Sequence, residues 1–222
     1  MKNEFEKRLL TSFFIIPLAL FFIIKGSLFY IFFLGIIFLI STYEWFELTK
    51  NLKFSKIIGT IFILFSIYSA YLLRNEKGVY VFIFILLISV LTDIGGYLFG
   101  KTFKGPKLTK ISPNKTYSGV IGSFFLSIIG GLIYYKLFMG NIPLRIEQHI
   151  VVLTIIVIIS LVSQLGDLII SFFKRITKIK NTGKILPGHG GLLDRIDGSM
   201  FALPIGFIII SVCLPQKKMS SC

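Results

Sequence analysis

The sequence is poor in charged residues, and this shortage excludes a water-soluble globular domain. Only 15% of the 222 residues are Asp, Glu, Lys or Arg, whereas soluble domains carry about 25%. Hydrophobic residues make up 55% of the chain, 24 residues are phenylalanine, and the mean hydropathy is +0.85. These polar side chains are too few to cover the surface of a soluble protein of this size. We therefore predict an integral membrane protein.

Acidic residues and cysteines are scarce as well. Ten Asp and Glu residues stand against 24 Lys and Arg residues, which gives a formal net charge of +14. Multi-pass membrane proteins carry such an excess in their cytoplasmic loops, and positive loops also suit anionic ligands. These two causes explain the positive charge better than binding of DNA or RNA does, so we predict no nucleic-acid partner. Cys213 and Cys222 have neither the spacing of metal ligands nor a sequence context that predicts a disulfide. They indicate no redox compartment.

Seven apolar stretches are long enough, or nearly so, to cross a hydrocarbon core that requires about 20 residues per helix. They cover residues 9–24, 28–45, 57–73, 79–99, 118–138, 150–173 and 199–214. No small-residue cleavage site follows the first stretch, so we expect a retained helix rather than a signal peptide. The predicted fold is an all-α, multi-pass transmembrane bundle of about seven helices in the lipid bilayer.

The distribution of polar residues predicts the domain organisation and the orientation. No polar segment is long enough to form a soluble domain, so we divide the chain into 1–78, with three membrane spans, and 79–222, which carries the polar loops 100–117 and 174–198. Most of the 24 Lys and Arg residues lie in these two loops, in the N-terminal segment and after the second span. The positive-inside rule therefore predicts a cytoplasmic N-terminus, cytoplasmic polar loops and an external C-terminus.

Only four aspartates are present, and two of them interrupt apolar stretches. Asp93 and Asp167 each lie toward the cytoplasmic end of a predicted span. A charged carboxylate at the centre of a membrane helix costs about 2.5–3.5 kcal/mol, so such residues usually have a partner or a function. Two interpretations stay open at this point: an ion pair with Lys or Arg that holds helices together, or a ligand site at the depth of the lipid headgroups.

The other two aspartates, Asp194 and Asp197, are three residues apart at the entrance to the last span. Residues at i and i+3 share one face of a helix, so both carboxylates can face one point. Two or three converging carboxylates suit Mg²⁺, which prefers oxygen ligands and keeps several waters. The alternative is a solvated helix start, where Asp is common because its charge favours the positive end of the helix dipole. Both interpretations stay open at this point.

A glycine-rich segment before Asp194 predicts a phosphate-binding turn. It reads LPGHGGLL over residues 186–193. Glycine and proline favour a tight turn with exposed backbone N–H groups, which bind phosphate. Lys174 and Arg175 lie upstream, and cations for phosphates beside carboxylates for a metal are typical of phosphoryl and nucleotidyl transfer. His189 has three open roles: a phosphate contact, an acid–base group or a turn residue.

The loop over residues 100–117 has a similar composition. Five lysines, Lys115 among them, accompany Ser112, Asn114 and Thr116 and offer positive charge and hydrogen-bond donors to an anion. An ordinary cytoplasmic loop is also rich in lysine. The composition alone therefore leaves both interpretations open.

Taken together, these segments resemble the signature of the phosphatidate cytidylyltransferase family, also called CDP-diacylglycerol synthases. The matching segments are 93–100 (DIGGYLFG), 112–116 (SPNKT), 163–168 (SQLGDL), 171–175 (SFFKR) and 186–197 (LPGHGGLLDRID). They extend over roughly residues 93–198, nearly half of the chain, and the last segment is long enough to be specific.

The resemblance implies transfer of a cytidylyl group from CTP to phosphatidic acid, with CDP-diacylglycerol and pyrophosphate as products. It implies dependence on Mg²⁺, with room for a second cation, and a multi-pass protein of the bacterial inner membrane that is often a homodimer. By motif position, the expected catalytic residues are Asp167, Asp194, Asp197, Lys174 and Arg175, and the three aspartates are the expected metal ligands. The residues expected to bind substrate or phosphate are Asp93, Ser112, Lys115, Thr116, His189, Gly190, Gly191 and Arg195.

The sequence departs from the family pattern at five positions. The family usually has Glu at the position of Ile170, Asp at Asn181, Ser at Gly198 and Trp at Tyr117, followed by a carboxylate or amide where Ser118 stands. The losses at 170 and 181 argue against a scheme in which either carboxylate is a metal ligand or a base. The chain is also short for the family, so we expect an N-terminal helix pair of the family to be missing.

Three other functions are alternatives: a CTP-dependent lipid kinase, a cytidylyltransferase for another lipid phosphate, and a transporter. The two enzymes differ from the first prediction in their products or their lipid substrate. A transporter would also contain intramembrane Asp and cytoplasmic Lys. It would usually show related repeats with broken helices, however, and this sequence shows no internal repeat.

Overall fold

The computed structural model describes residues 2–109, 112, 115–139, 146–179, 181–183, 185 and 190–213, with the side chains of 2–12, 146–148 and 213 left out. Within these residues the chain forms seven α-helices and no β-strand; one isolated antiparallel bridge joins Lys107 and Thr116. The helices are α1 (Lys2–Lys25), α2 (Ser27–Leu48), α3 (Lys53–Leu72), α4 (Val79–Phe103), α5 (Tyr117–Tyr134), α6 (Ile146–Ile176) and α7 (Leu193–Cys213).

The helices are long and apolar enough for a multi-pass membrane protein. In the described part of the chain, six of them, α2 to α7, meet the length and hydropathy needed to cross a bilayer, and the apolar part of α1, Phe13–Lys25, is shorter. Large apolar side chains such as Leu28, Phe54, Ile121 and Val212 are largely exposed, as lipid-facing residues are. The prediction of an all-α membrane bundle of about seven helices is confirmed.

The helices extend further into the polar segments than the apolar stretches suggest. α4 continues to Phe103, α6 continues to Ile176, and α7 begins at Leu193 rather than at residue 199. The connections are therefore shorter than the predicted loops. Asp194 and Asp197 consequently lie inside the first two turns of α7, where negative charge favours the helix dipole.

α7 contains a proline that another helix compensates. Pro204 has no N–H, so the carbonyl of Met200, four residues earlier, lacks its usual intrahelical donor. The hydroxyl of Ser66 in α3 donates to that carbonyl at 2.8 Å, and Ser66 is completely buried. α3 and α7 are thus joined by a hydrogen bond that only the tertiary structure supplies.

Small residues bring α4 and α5 into close contact. A side chain at Gly95 would overlap the carbonyl group of Gly122, and one at Gly119 would overlap the carbonyl oxygen of Gly96. Close approach of this kind is how membrane helices gain packing energy without a hydrophobic driving force between them. The hydroxyl of Ser123 in α5 also donates to the carbonyl of Thr92 in α4 at 2.7 Å.

The ends of four helices meet at one end of the bundle, which we call the polar end. α4 ends there at Phe103, α5 begins at Tyr117, α6 ends at Ile176 and α7 begins at Leu193. A salt bridge joins the loop before α5 to α6, another joins α6 to α7, and α4 is joined to α5 by the Ser123–Thr92 hydrogen bond. All four aspartates of the chain therefore belong to the same end of the protein.

We predict that Gly95→Ala destabilises the bundle by about 1–3 kcal/mol, because the new methyl group meets rigid backbone of α5 rather than a side chain that can move. The melting temperature of the purified protein in detergent measures the effect. Gly35→Ala is the matched control, since a methyl group at Gly35 meets nothing within 4 Å. Equal melting temperatures for the two variants would contradict the close packing of α4 on α5.

Candidate active site

A cavity of about 340 Å³ opens at the polar end, between α4, α5, α6 and α7. All four aspartates of the chain line it, together with two cationic residues. These six residues are Asp93, Lys115, Asp167, Asp194, Arg195 and Asp197. The structure therefore brings into one cavity carboxylates that are up to about a hundred residues apart in the sequence.

Asp167 is paired with a lysine from the loop before α5. The ammonium group of Lys115 lies 2.7 Å from Oδ2 of Asp167 and also donates to the carbonyl of Gln164 at 3.2 Å. The hydroxyl of Ser171 donates to Oδ1 of Asp167 at 3.3 Å. About a quarter of each of the two paired side chains is exposed. Lys115 thus compensates a carboxylate that lies well inside a membrane helix.

Asp197 lies deeper, against Asp167. Only 6% of Asp197 is exposed, its carboxylate accepts the N–H of Gly198 at 2.8 Å, and it is within hydrogen-bonding range of the Asp167 side chain. Two carboxyl groups in contact repel each other when both are ionised, so such a pair binds a cation or shares a proton. The pair is the part of the cavity best suited to a positive ligand.

Asp194 is held by partners of its own. Lys174 donates to Oδ1 at 2.9 Å, and Oδ2 accepts the backbone N–H groups of Thr182 at 2.9 Å and Gly191 at 3.3 Å. Asp194 and Asp197 therefore share the cavity, as their spacing predicts, but their carboxylates have different immediate neighbours. In this arrangement Asp194 also holds the end of the glycine-rich segment, at Gly191.

Of the other predicted site residues, some line the cavity and others do not. Ser112 and Thr116 line it, and Thr116 caps α5 by accepting the N–H of Gly119 at 3.1 Å. Gly190 has a φ of 89°, in the left-handed region that favours glycine. Arg175 is exposed on the last turn of α6 and is not among the described residues that line the cavity. His189 lies outside the described residues.

Two departures from the family pattern have a structural explanation. Ile170 is 5% exposed and lines a second, apolar cavity of about 280 Å³ that also contains Trp45, Phe173 and Met200, so its side chain belongs to the apolar core and not to the polar cavity. A carboxylate lost at this position removes no ligand from the cavity described here. At Gly198, any Cβ would overlap the hydroxyl of Ser163, because α6 and α7 approach closely at that point.

Sequence reasoning missed one carboxylate, Glu44 of α2. It is completely buried and accepts hydrogen bonds from the hydroxyl of Thr182 and from the backbone N–H groups of Leu192 and Leu193. The only signal in the sequence is an acidic residue at the end of the second apolar stretch, 28–45. Its partners are nearly 150 residues away, so no local pattern points to them.

The charges of the cavity suit an anion and a cation together. Lys115 and Arg195 supply positive charge, and α5 and α7 begin at the polar end, so the positive ends of their dipoles face this region. Among the described residues, no group of three or more His, Cys, Asp or Glu side chains is arranged to hold a metal ion. Mg²⁺ is usually held by one or two carboxylates with waters and substrate phosphates, and the Asp167–Asp197 pair fits that requirement.

We predict that Lys115→Met lowers the free energy of unfolding by about 1–3 kcal/mol, because it leaves Asp167 without its cation beside Asp197. In the double variant Lys115→Met/Asp167→Asn, part of that loss should be recovered. Lys107→Met is the control, since Lys107 lies in the same loop but is exposed, and its effect should stay within about 0.5 kcal/mol. Denaturant unfolding in mixed micelles measures these variants together with Asp167→Asn alone; additive effects of the two substitutions would show that the pair does not interact.

Comparison with known proteins identifies the family. The model of the cytidylyltransferase family matches residues 54–213, well over half of the chain. A phosphatidate cytidylyltransferase of Staphylococcus aureus (strain COL) is 44% identical over 139 residues, and the protein of the same name from Staphylococcus saprophyticus is 43% identical over 137 residues. Each match covers 61% of this chain and 51% of the relative, so the chain spans about half the length of the curated relatives it matches. The chain belongs to the cytidylyltransferase family.

Proposed function

We propose that this protein transfers a cytidylyl group from CTP to phosphatidic acid and releases CDP-diacylglycerol and pyrophosphate. The observation that carries the proposal is the polar cavity, in which all four aspartates meet Lys115 and Arg195 inside a membrane bundle. Family membership and relatives named phosphatidate cytidylyltransferase support it. We propose further that the protein is a homodimer of the bacterial inner membrane, with this cavity facing the cytoplasm.

The position of the cavity suits one lipid and one water-soluble substrate. Asp93 lies ten residues before the end of α4, which is about 15 Å along the helix, so the cavity reaches below the end of the bundle. A lipid whose tails stay in the bilayer can place its phosphate at that depth by entering between helices. CTP can approach from the aqueous side, over the lysine-rich loop before α5.

The reaction requires positioning and charge neutralisation more than acid–base chemistry. An oxygen of the phosphatidate phosphate attacks the α-phosphorus of CTP, a new P–O bond forms, and the bond to the β-phosphate bridging oxygen breaks. Pyrophosphate leaves with the electron pair of that bond. The second pKa of a phosphate monoester is about 6, so the attacking group is mostly ionised at neutral pH. No strong general base is therefore needed.

The residues of the cavity divide into two roles. Lys115 and Arg195, with Lys174 beside Asp194, neutralise the negative charge of the two substrates and bring their phosphates together. A Mg²⁺ ion, which Asp167 and Asp197 would hold with Asp194 nearby, would supply further neutralisation of the triphosphate. The backbone N–H of Gly190 is expected to contact phosphate, whereas the N–H of Gly191 already donates to Asp194. His189, outside the described residues, stays a predicted phosphate contact.

The test of the function is a product analysis. Purified protein is incubated with phosphatidic acid, Mg²⁺ and each nucleoside triphosphate in turn, and the lipid product is weighed by mass spectrometry. We expect CDP-diacylglycerol and pyrophosphate to form when the nucleoside triphosphate is CTP, and no such product with the other triphosphates. Release of CDP with a phosphorylated lipid would instead identify a lipid kinase, and reaction only with another lipid phosphate would identify a different cytidylyltransferase. Ion flux in liposomes without CTP consumption would favour a transporter.

We predict that Asp197→Asn and Asp194→Asn each reduce CTP-dependent CDP-diacylglycerol formation by about 100-fold or more. Asp197→Asn keeps the shape of the side chain but removes one charge from the carboxyl pair, and Asp194→Asn weakens the attachment of Lys174. The rate is measured per mole of monodisperse protein, so that a loss of folding is not counted as a loss of catalysis. Turnover at the wild-type rate in either variant would remove that aspartate from the proposed site.

A further inference from the structure

Glu44 of α2 is a buried acidic residue that the proposed mechanism does not use. It is completely inaccessible to solvent and belongs to a helix that precedes the part of the chain matched by the family model, residues 54–213. A buried carboxylate is costly unless its oxygens are fully hydrogen-bonded. The hydrogen-bond partners of Glu44 therefore indicate its role.

The carboxylate of Glu44 caps the start of α7 from another helix. Its Oε1 accepts the N–H of Leu192 at 2.9 Å, and its Oε2 accepts the N–H of Leu193 at 2.8 Å and the hydroxyl of Thr182 at 3.0 Å. The first N–H groups of a helix have no partner within it and are usually satisfied by a Ser, Thr, Asp or Asn side chain just before it. Position 192 is leucine, which offers no oxygen, and Glu44 takes over this role.

The residues that Glu44 holds also hold Asp194. The N–H of Thr182 and the N–H of Gly191 donate to Oδ2 of Asp194, while the hydroxyl of Thr182 and the N–H of the next residue, Leu192, donate to Glu44. Two carboxylates thus bind the same two short segments, 181–183 and 191–193. A shift of these segments would move Asp194 relative to Lys174.

Glycines allow this direct contact. A Cβ at Gly183 or at Gly191 would overlap the carboxylate of Glu44, and one at Gly191 would also overlap the hydroxyl of Thr182. The two segments therefore lie directly on the carboxylate, with no side chain between them. The position of these two segments therefore depends on the position of α2, which carries Glu44.

We propose that Glu44 is a positioning residue of the active site, which fixes Asp194 and the start of α7 through Thr182 and Leu192. It acts without touching the substrate, because it is buried behind the segments that it holds. The proposal rests on the proposed function, since Asp194 belongs to the reaction described above. It assigns to α2, outside the family-matched region, a direct part in the geometry of the site.

The experiment compares Glu44→Gln with Glu47→Gln. Glu47 lies on the same helix but is exposed, so its variant should retain the wild-type rate. In Glu44→Gln the amide N–H₂ group faces hydrogen-bond donors, which it cannot accept. We therefore expect kcat and kcat/KM, measured per mole of monodisperse protein, to fall together by about tenfold. The two constants fall together when an interaction important in the transition state is lost. Hydrogen exchange of the amides at 191–193 should accelerate by about tenfold, while that of α4 and α5 stays unchanged.

A second variant covers the case in which Glu44→Gln does not fold. Thr182→Val removes one hydroxyl donor and leaves the carboxylate and both backbone bonds in place, so we expect a threefold fall in kcat and faster exchange at 191–193. Where Glu44→Gln folds, the effect of Thr182→Val should disappear in the double variant, because both residues act through the same contact. Wild-type kcat or wild-type exchange at 191–193 in the folded variants, or additive effects, would overturn the proposal.

The two proposals can fail separately. If the wild-type protein makes no CDP-lipid, the proposed function is wrong, and exchange at 191–193 in Glu44→Gln still reports whether Glu44 holds the segment. If the wild-type protein is active and Glu44→Gln retains its kcat with normal exchange, only the positioning role is wrong.

Discussion

The structure of the polar end depends on one constraint, the cost of placing carboxylates where water is scarce. Four aspartates lie in one cavity of a membrane bundle, and none of them would be stable there alone. Lys115 reaches from a loop to Asp167, and Lys174 reaches from α6 to Asp194 at the start of α7. Asp197 contacts Asp167, and its carboxylate accepts the N–H of Gly198. In the proposed reaction, the same concentration of negative charge would attract the cation that accompanies the triphosphate.

Helix ends and glycines make this arrangement possible. α5 and α7 both begin beside the cavity, so the positive ends of their dipoles lie close to the carboxylates. The close approach of α4 and α5 at Gly95 and Gly122 brings the Asp93 segment next to the loop that carries Lys115. Tertiary packing therefore sets the electrostatics, because the lysines that pair with Asp167 and Asp194 each come from a different helix or loop than the carboxylate that they compensate.

Much of the fold was predictable because the length of an apolar stretch can be determined from consecutive residues alone. Seven apolar stretches predicted seven helices, and the rarity of Asp in them pointed to the cavity. The start of α7 was not predictable, since its cap is Glu44 on a distant helix rather than a residue next to it. The pairing of Lys115 with Asp167, and the separate partners of Asp194 and Asp197, also depend on packing that no periodicity encodes. Arg175 follows Lys174 in sequence but lies on an exposed face of α6.

The last helix obtains two of its backbone hydrogen bonds from residues made long before it. Ser66 satisfies the carbonyl that Pro204 leaves open, 134 positions later, and Glu44 satisfies the N–H of Leu193, 149 positions later. During synthesis, α2 and α3 are made before α7, so neither polar group can form its contact with α7 until that helix has been made. The site is therefore completed only when α7 arrives, and a chain stalled before residue 193 would lack both contacts.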